Sequence, residues 1–598
     1  MGLPLSLWPV LLVPALGGIY FAGRRLGAAA TGDASLARWL APGLGVALWL
    51  VCAQALGVAF GSFSAALWGG TLAAATAGVA AAVTWKPEAA PGQPPSGWIW
   101  LGLALALPLA YEVAFPGRGC DDVAWNVGHY SIPMEMLNGV YPPRHLVFPN
   151  FELRYHYGFD LLGALAASLF HLRVDRAVDW VTVGCFAYAI ALAWLLGDRL
   201  AGRDRGWIAA LAVFGGGLPL LCDWRAGRSL ADHLTGFSCK VDGFWLPGPG
   251  VASFFIQHPW TLGIPLALCG LLLFDAPTGR PPRAWYAALG LVLAALSFSQ
   301  AVLFACLCFG GFTAALLRAW KEDRRRIVEL LLLGASVLAA ARGLHGFLAP
   351  AAEPTGLHLR LVPFWIGKTK DELVLWHLYT FGLLLPLAAA GLWIAGPRGR
   401  SLALMTLAGL AVLNFFQYPS SGDVVKFAIV CGIPVGVLAA VALARFWRQP
   451  WAPVALALSL LGSAAWLVQS ARSEDTCYVA PVPAGEEAQA ADWLRRNARA
   501  GEGVFGTRSM EPYAIWGGLP INAVDQGVHL FGFSQPLLDE RARLERDPDP
   551  AALVRAGFPW VLVRPSDARF MRWVQEGRAR VAAMFGGLSI LRLGGGSG

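Results

Sequence analysis

The chain has 598 residues, 56% of them hydrophobic and only 14% charged, with a net charge of +8. A soluble domain carries about 25% Asp, Glu, Lys and Arg, so this chain lacks the polar surface to cover itself in water, and its mean hydropathy of +0.54 agrees. A soluble multidomain enzyme, a coiled coil, collagen and a disordered chain are excluded together, and lipid is left as the main solvent; the 26 Trp and 32 Phe suit a membrane interface.

A helix that crosses the hydrocarbon core needs about 20 apolar residues, with a range of roughly 17 to 25. In chain order such runs fall at 3–22, 39–60, 65–84, 98–115, 178–196, 207–222 and 251–274. The second half adds 284–298, 301–317, 327–347, 373–394, 402–416, 424–443 and 452–468, about fourteen predicted helices in all. The first run has no basic stretch before it and Arg24 and Arg25 after it, which reads as a helix rather than a signal peptide. The run at 158–171 is too short to span and is expected to be an interfacial or re-entrant helix.

Alternate connections carry the arginines and lysines: Arg24, Arg25 and Arg38, then Lys86, then Arg199, Arg203 and Arg205, then Arg280 and Arg283. Lys321 with Arg324 to Arg326, Arg398 with Arg400, and Arg445 with Arg448 continue the series. Short basic loops face the cytoplasm, so the bulkier pieces at 116–175, 223–250, 348–371 and after 469 are expected on the outer side. This predicts a multi-pass protein of a bacterial cytoplasmic membrane, divided into N-terminal helices (1–115), an outer loop (116–177), a helical core (178–470) and an extracytoplasmic tail (471–598). The ten cysteines show no metal-ligand spacing, and most sit in apolar runs; Cys222 and Cys239 bracket one outer loop and are a candidate disulfide.

In the tail the pattern becomes that of a small soluble α/β domain. EEAQAADWLRRN is an amphipathic helix, GVFGT and PINAV are short strands, FPWVLVRPSD is a buried strand entering a turn, and RVAAMFGGLSILRL is a hairpin. The predicted fold is thus a polytopic α-helical membrane protein with a small C-terminal α/β domain. The tail holds no nucleotide-binding or hydrolase motif.

Polar chemistry concentrates in the first outer loop, where Asp121 and Asp122 follow an apolar run. A carboxylate at the edge of a membrane, partly desolvated and beside a like charge, is suited to act as a general base or metal ligand. The bland alternative is a capping pair on a solvated loop. Downstream come Asn126, His129, Glu135, Arg144, His145, Arg154, Tyr155, His156 and Asp160, among many aromatics and prolines. A long loop of that composition is more readily functional than disordered. Elsewhere, HLRLVPFWIGKTKDE supplies His358, Arg360, Lys368 and Lys370, SGDVVKF supplies Asp423 and Lys426, and His258 opens a helix; each also reads as an ordinary interfacial residue. Arg342 and His345, near the end of the run at 327–347, are ionisable groups close to membrane depth.

The order Asp121-Asp122, His129, NGVYPP and YHYGFDLLGALAASLFHL resembles the GT-C superfamily of polytopic glycosyltransferases, including protein O-mannosyltransferases, aminoarabinose transferases and glycosyltransferase 39-like or RgtA-like proteins. Tyr155 to Gly158 stand where many relatives carry a proline-rich motif, and four apolar runs precede the Asp pair where one is usual. The resemblance implies an inverting transfer of a sugar from a polyprenyl-phosphate donor to a lipid, glycan or protein acceptor at the outer face. One Asp of the pair would be the general base, Arg360, Lys368, Lys370 and His358 would face the donor phosphate, and His129, Tyr155, His156, His258, Asp423 and Lys426 would line the pocket. A divalent cation, magnesium or manganese, stays open as a cofactor. A transporter or flippase of lipid-linked saccharides and a non-catalytic assembly protein are the competing classes; no internal duplication speaks for a transporter, and nucleic acid is not an expected partner.

Overall fold

The computed structural model describes residues 8–83, 130–202, 204–218, 258–276, 281–346, 360–366, 370–417, 426–472, 484–506, 516–522, 535–564 and 566–594, with isolated positions between them. Helices α1 (Trp8–Thr31) and α2 (Ala34–Phe60) form the first hairpin, with Asp33 capping α2 through the backbone N–H groups of Ser35 and Leu36. A π-turn at Ala65–Gly69 leads into α3 (Gly70–Val83). After the predicted run at 98–115, which lies almost wholly outside the described residues, come α4 (Ser131–Leu137), α5 (Gly158–Phe170) and α6 (Val174–Ala201). The 13-residue α5 is buried along nearly its whole length against α4, α6 and the outlying helices, so it is enclosed by protein instead of lying on a lipid surface.

The predicted helix at 207–222 is cut short. Helix α7 (Gly206–Val213) stops before the three glycines Gly215 to Gly217, where the backbone is taken over by serines of a distant helix: the Ser463 hydroxyl donates to the Phe214 carbonyl, and Gly216 N–H donates to the Ser459 carbonyl at 2.8 Å. Glycine's conformational freedom makes unwinding cheap, and the serines satisfy the freed groups. A short ribbon of β1 (Lys240–Val241) and β2 (Phe244–Trp245) is followed by α8 (His258–Asp275), α9 (Arg283–Ser299), α10 (Ala301–Glu322) and α11 (Arg325–Gly343). Strand β3 (Arg360–Leu361) precedes α12 (Lys370–Phe381) and α13 (Leu384–Ala395). The predicted single helix at 373–394 is in fact broken between these two by a turn of 73°, at Gly382 with φ of 55°. The backbone of Gly217 presses on that break, since a Cβ there would fall 1.7 Å from the Tyr379 carbonyl oxygen.

Helix α14 (Arg400–Phe415) runs into β4 (Phe416–Gln417), which pairs antiparallel with β3, and α15 (Phe427–Arg445) and α16 (Trp451–Arg472) complete the bundle. Among the described residues, five helices are long and apolar enough to cross a membrane, six with the bent pair, fewer than the fourteen apolar runs. Others, such as α5 and α9, are shorter than the membrane is thick. Large apolar side chains on the outside, such as Trp393 at 86% exposure, need a non-aqueous surround. The chain is a multi-pass integral membrane protein.

In the tail, α17 (Gly485–Asn497), β5 (Val504–Gly506), α18 (Gln535–Arg546), α19 (Pro550–Arg555), β6 (Trp560–Val563), α20 (Ala568–Gln575), β7 (Ala579–Phe585) and β8 (Leu588–Leu593) build a mixed sheet of order β5-β6-β8-β7. β5 and β6 are parallel and the hairpin β7-β8 is antiparallel, as its sequence predicts. Of the expected strand PINAV, Pro520 to Asn522 are described, and among them Ile521 forms an isolated bridge to Val504.

Candidate functional site

The tail does not stand apart from the bundle. Leu146, Val147 and Phe148, from the loop after α4, are buried in one core with Ala490, Leu494, Val504, Trp560 and Ile590 of the tail. Backbone and amide bonds seal the junction: Ile521 N–H donates to the Leu146 carbonyl at 2.8 Å, Asn138 Nδ2 to the Gly517 carbonyl at 2.7 Å, and Asn150 Nδ2 to the Arg555 carbonyl at 2.8 Å. Gly518, with φ of 60°, sits so close to α4 that a Cβ would fall 2.7 Å from the Met134 carbonyl carbon. Arg173 at the start of α6 lies 5.4 Å over the Trp516 ring.

Within this junction a water-sized cavity is lined by Ser131, Glu135, Arg144 and His145. Glu135 is buried, its Oε2 accepts the Arg144 N–H at 2.9 Å, and burial pushes its carboxyl up to about 8 against the lowering effect of Arg144. His145 Nδ1 accepts the N–H groups of Val147 (3.2 Å) and Phe148 (3.3 Å), and burial with the Arg541 charge nearby holds the ring down to about 3, hence neutral.

A second polar set joins the loop to the helix ends. Gln54 of α2 donates to Tyr157 Oη at 2.8 Å and to the Leu344 carbonyl at 2.6 Å, while Tyr141 Oη donates to Gln54 Oε1 at 2.5 Å. Tyr157 Oη donates in turn to the His345 carbonyl at 3.1 Å. His345, just past α11, then donates through Nε2 to Glu152 Oε2 at 2.8 Å, an oxygen that also accepts from Arg154 Nη2 at 2.9 Å. Burial alone would raise Glu152, but the His345 hydrogen bond and the charges of Arg154 and Arg144 hold it below the usual carboxylate range; burial and Arg154 keep His345 below its ordinary value.

Of the residues singled out in the sequence, Asp121, Asp122, His129, His358, Lys368 and Asp423 lie outside the described residues, as do Cys222 and Cys239. His258 is placed as the first residue of α8. Tyr155 and His156 are brought together, half-buried, with ring centroids 3.8 Å apart. Arg360 on β3 and Lys370 at the start of α12 are exposed, and no hydrogen bond or ion pair among the described residues joins either to that pair. Lys426, half-buried, immediately precedes α15. Among the described residues no three His, Cys, Asp or Glu side chains gather where a metal ion would be held.

Sequence reasoning passed over Glu152 and Gln54. Glu152 left a signal in FELRYHYG, where charged and polar residues at 152, 154 and 156 alternate with the buried Leu153 and Tyr157, the period of an extended segment with one face on the core. Gln54 left none, being one amide in an apolar run.

No known protein family matches the sequence, and no curated protein matches it. Among solved structures the fold is similar to that of ArnT from Cupriavidus metallidurans in the apo state, at 12% identity and a TM-score of 0.45 over 84% of this chain and 98% of that one. It is likewise similar to ArnT of the same organism bound to undecaprenyl phosphate, at 11% identity and a TM-score of 0.43 over 82% of this chain and 97% of that one.

Proposed function

We propose that the chain is an integral membrane glycosyltransferase that moves a sugar from a polyprenyl-phosphate donor to an acceptor at the outer face of the membrane, with Asp121 or Asp122 as general base. The observation that carries the reading is the loop end of the molecule. The segment that follows the Asp pair in sequence is built into the helix bundle through Gln54, Tyr157 and His345 and into the tail through Leu146 to Phe148. A solvated capping loop has no need of buried polar contacts on two sides, whereas a transfer site must hold its groups in fixed geometry. A carrier protein has no need of a folded tail sharing that loop's core.

In this reading the Asp carboxylate takes the acceptor's hydroxyl proton as the oxygen attacks the anomeric carbon. The bond from that carbon to the phosphate oxygen breaks on the opposite face, so the configuration inverts and the lipid phosphate leaves with the bonding pair. Arg360, Lys368, Lys370 and His358 are the cations proposed to steady that phosphate. His129, Tyr155, His156, His258, Asp423 and Lys426 are proposed as pocket residues. A divalent cation would supply further charge neutralisation at the phosphate, with the Asp pair among its oxygen ligands.

The test uses membranes containing the full chain and polyprenyl-phosphate sugars, beginning with undecaprenyl phosphate as the carrier. Asp121→Asn or Asp122→Asn should cut transfer by about 10²-fold or more at unchanged protein level. Full transfer by both single variants and the double variant would end this mechanism. A periplasm-active reporter fused after Gly598 checks the side of the tail, and a cytoplasmic signal would overturn the topology.

A further inference from the structure

The Glu152–His345 pair is more elaborately held than a surface ion pair needs to be. His345 adopts φ of 56°, a left-handed conformation uncommon for a side-chain-bearing residue. Backbone strain of this kind persists only where the surroundings enforce it. Here the enforcing groups are visible: the carbonyls of Leu344 and His345 are gripped by Gln54 and by Tyr157, on two different elements. The grip fixes the direction in which the imidazole delivers its Nε2 proton to Glu152 Oε2, and Arg154 donates to the same oxygen.

The consequence falls on the other oxygen. Glu152 is 40% exposed although His345 is only 11% exposed, and its Oε1 has no hydrogen-bond partner among the described residues. The carboxylate is thus ionised, anchored through one oxygen and, among the described residues, free at the other. An ionised carboxylate is an acceptor only; it repels a phosphate and suits a group rich in hydroxyl donors. The rings of Tyr155 and His156, a few residues on and tilted by 31° to one another, place aromatic surface nearby in the chain.

We propose that Glu152 recognises the sugar carried by the lipid donor, its Oε1 accepting hydrogen bonds from sugar hydroxyls, with His345 as the positioning residue that holds the carboxylate in place. The proposal rests on the transferase reading and names the part of the site that reads the sugar rather than the phosphate.

The experiment measures binding of the purified full-length protein in lipid nanodiscs to bare undecaprenyl phosphate and to undecaprenyl phosphate carrying mannose, glucose or aminoarabinose. The wild type should prefer at least one sugar-bearing carrier. Glu152→Gln should lower that preference by about tenfold, the worth of a hydrogen bond to a charged group, and leave the affinity for the bare carrier in place. Glu152→Asp, which keeps the charge, should recover part of the preference. His345→Ala should weaken it in the same direction, and the double variant should add little to Glu152→Gln alone. A pair that only pins the loop would lower the thermal midpoint and affect all carriers alike, and that result overturns the proposal. So does a preference unchanged in Glu152→Gln, or a wild type indifferent to the sugar. Failure of the wild type to bind even the bare carrier would instead sink the transferase reading.

Discussion

The two ends of the helix bundle are built on different principles. At the arginine-rich end, short connections meet through partly exposed charges: Arg199 reaches Asp275 at 3.1 Å and Asp33 at 3.9 Å, the exposed Glu322 reaches a buried Arg326 at 3.1 Å, and Trp207 packs edge-on to Trp447. At the loop end the polar groups are mostly buried and the partners are far apart in sequence, as with Gln54 and Leu344 or Leu146 and Ile521. Exposed ion pairs are individually worth little, whereas a buried network is costly to leave half-satisfied. One end is joined mainly by partly exposed charges; the other holds a shape through buried, long-range contacts.

The contrast is broken most severely by attacking the core that the loop shares with the tail. Phe148→Ala should cost about 3–5 kcal/mol there, read as early proteolysis of the tail and a lower unfolding midpoint. A tail as protected as in the wild type would mean that the loop is not part of its core.

A smaller effect comes from pH. Glu135, raised from its ordinary 4.5 to about 8, holds a proton in the folded state that the unfolded chain releases, so its contribution is complete below about 4.5 and is lost as pH rises toward 8. His145, lowered from 6.5 to about 3, has the opposite sign: its contribution is present above about 6.5 and lost as pH falls toward 3. The unfolding midpoint should therefore be nearly level between about 4.5 and 6.5 and decline on both sides. Glu135→Gln should flatten the alkaline decline, and an alkaline arm that survives the substitution would remove Glu135 as its cause. Smallest of all, Arg199→Ala at the other end should cost less than about 1 kcal/mol; a large loss in the same melting assay would erase the distinction between the ends.

Much of this architecture could be read directly. The helix Gly485–Asn497, the buried strand Trp560–Val563 and the hairpin β7-β8 match their sequence patterns because each pattern is local and one face of each element meets the core. The apolar runs announce helices for the same reason. Their interruptions do not show, because distant residues meet there: Ser459 and Ser463 supply replacement hydrogen bonds where α7 ends at Gly215 to Gly217, and the backbone of Gly217 presses on the turn of α12 at Gly382. The candidate site was expected from a polar, aromatic loop and from a resemblance carried by Asp121-Asp122, His129 and NGVYPP, of which the Asp pair and His129 lie outside the described residues. Glu152 was not, since its meaning depends on His345, 193 residues away.

By itself, then, the sequence determined the solvent, the helical character, the ordering of basic and polar connections and the small α/β tail, all of which follow from hydrophobicity and charge along the chain. Only the tertiary structure decided which helices run unbroken, that Leu146 to Phe148 belong to the tail's core, and that Glu152 is held by His345 through one oxygen. Burial and hydrogen-bond partnership are relations between distant residues, and no periodicity in the chain encodes them.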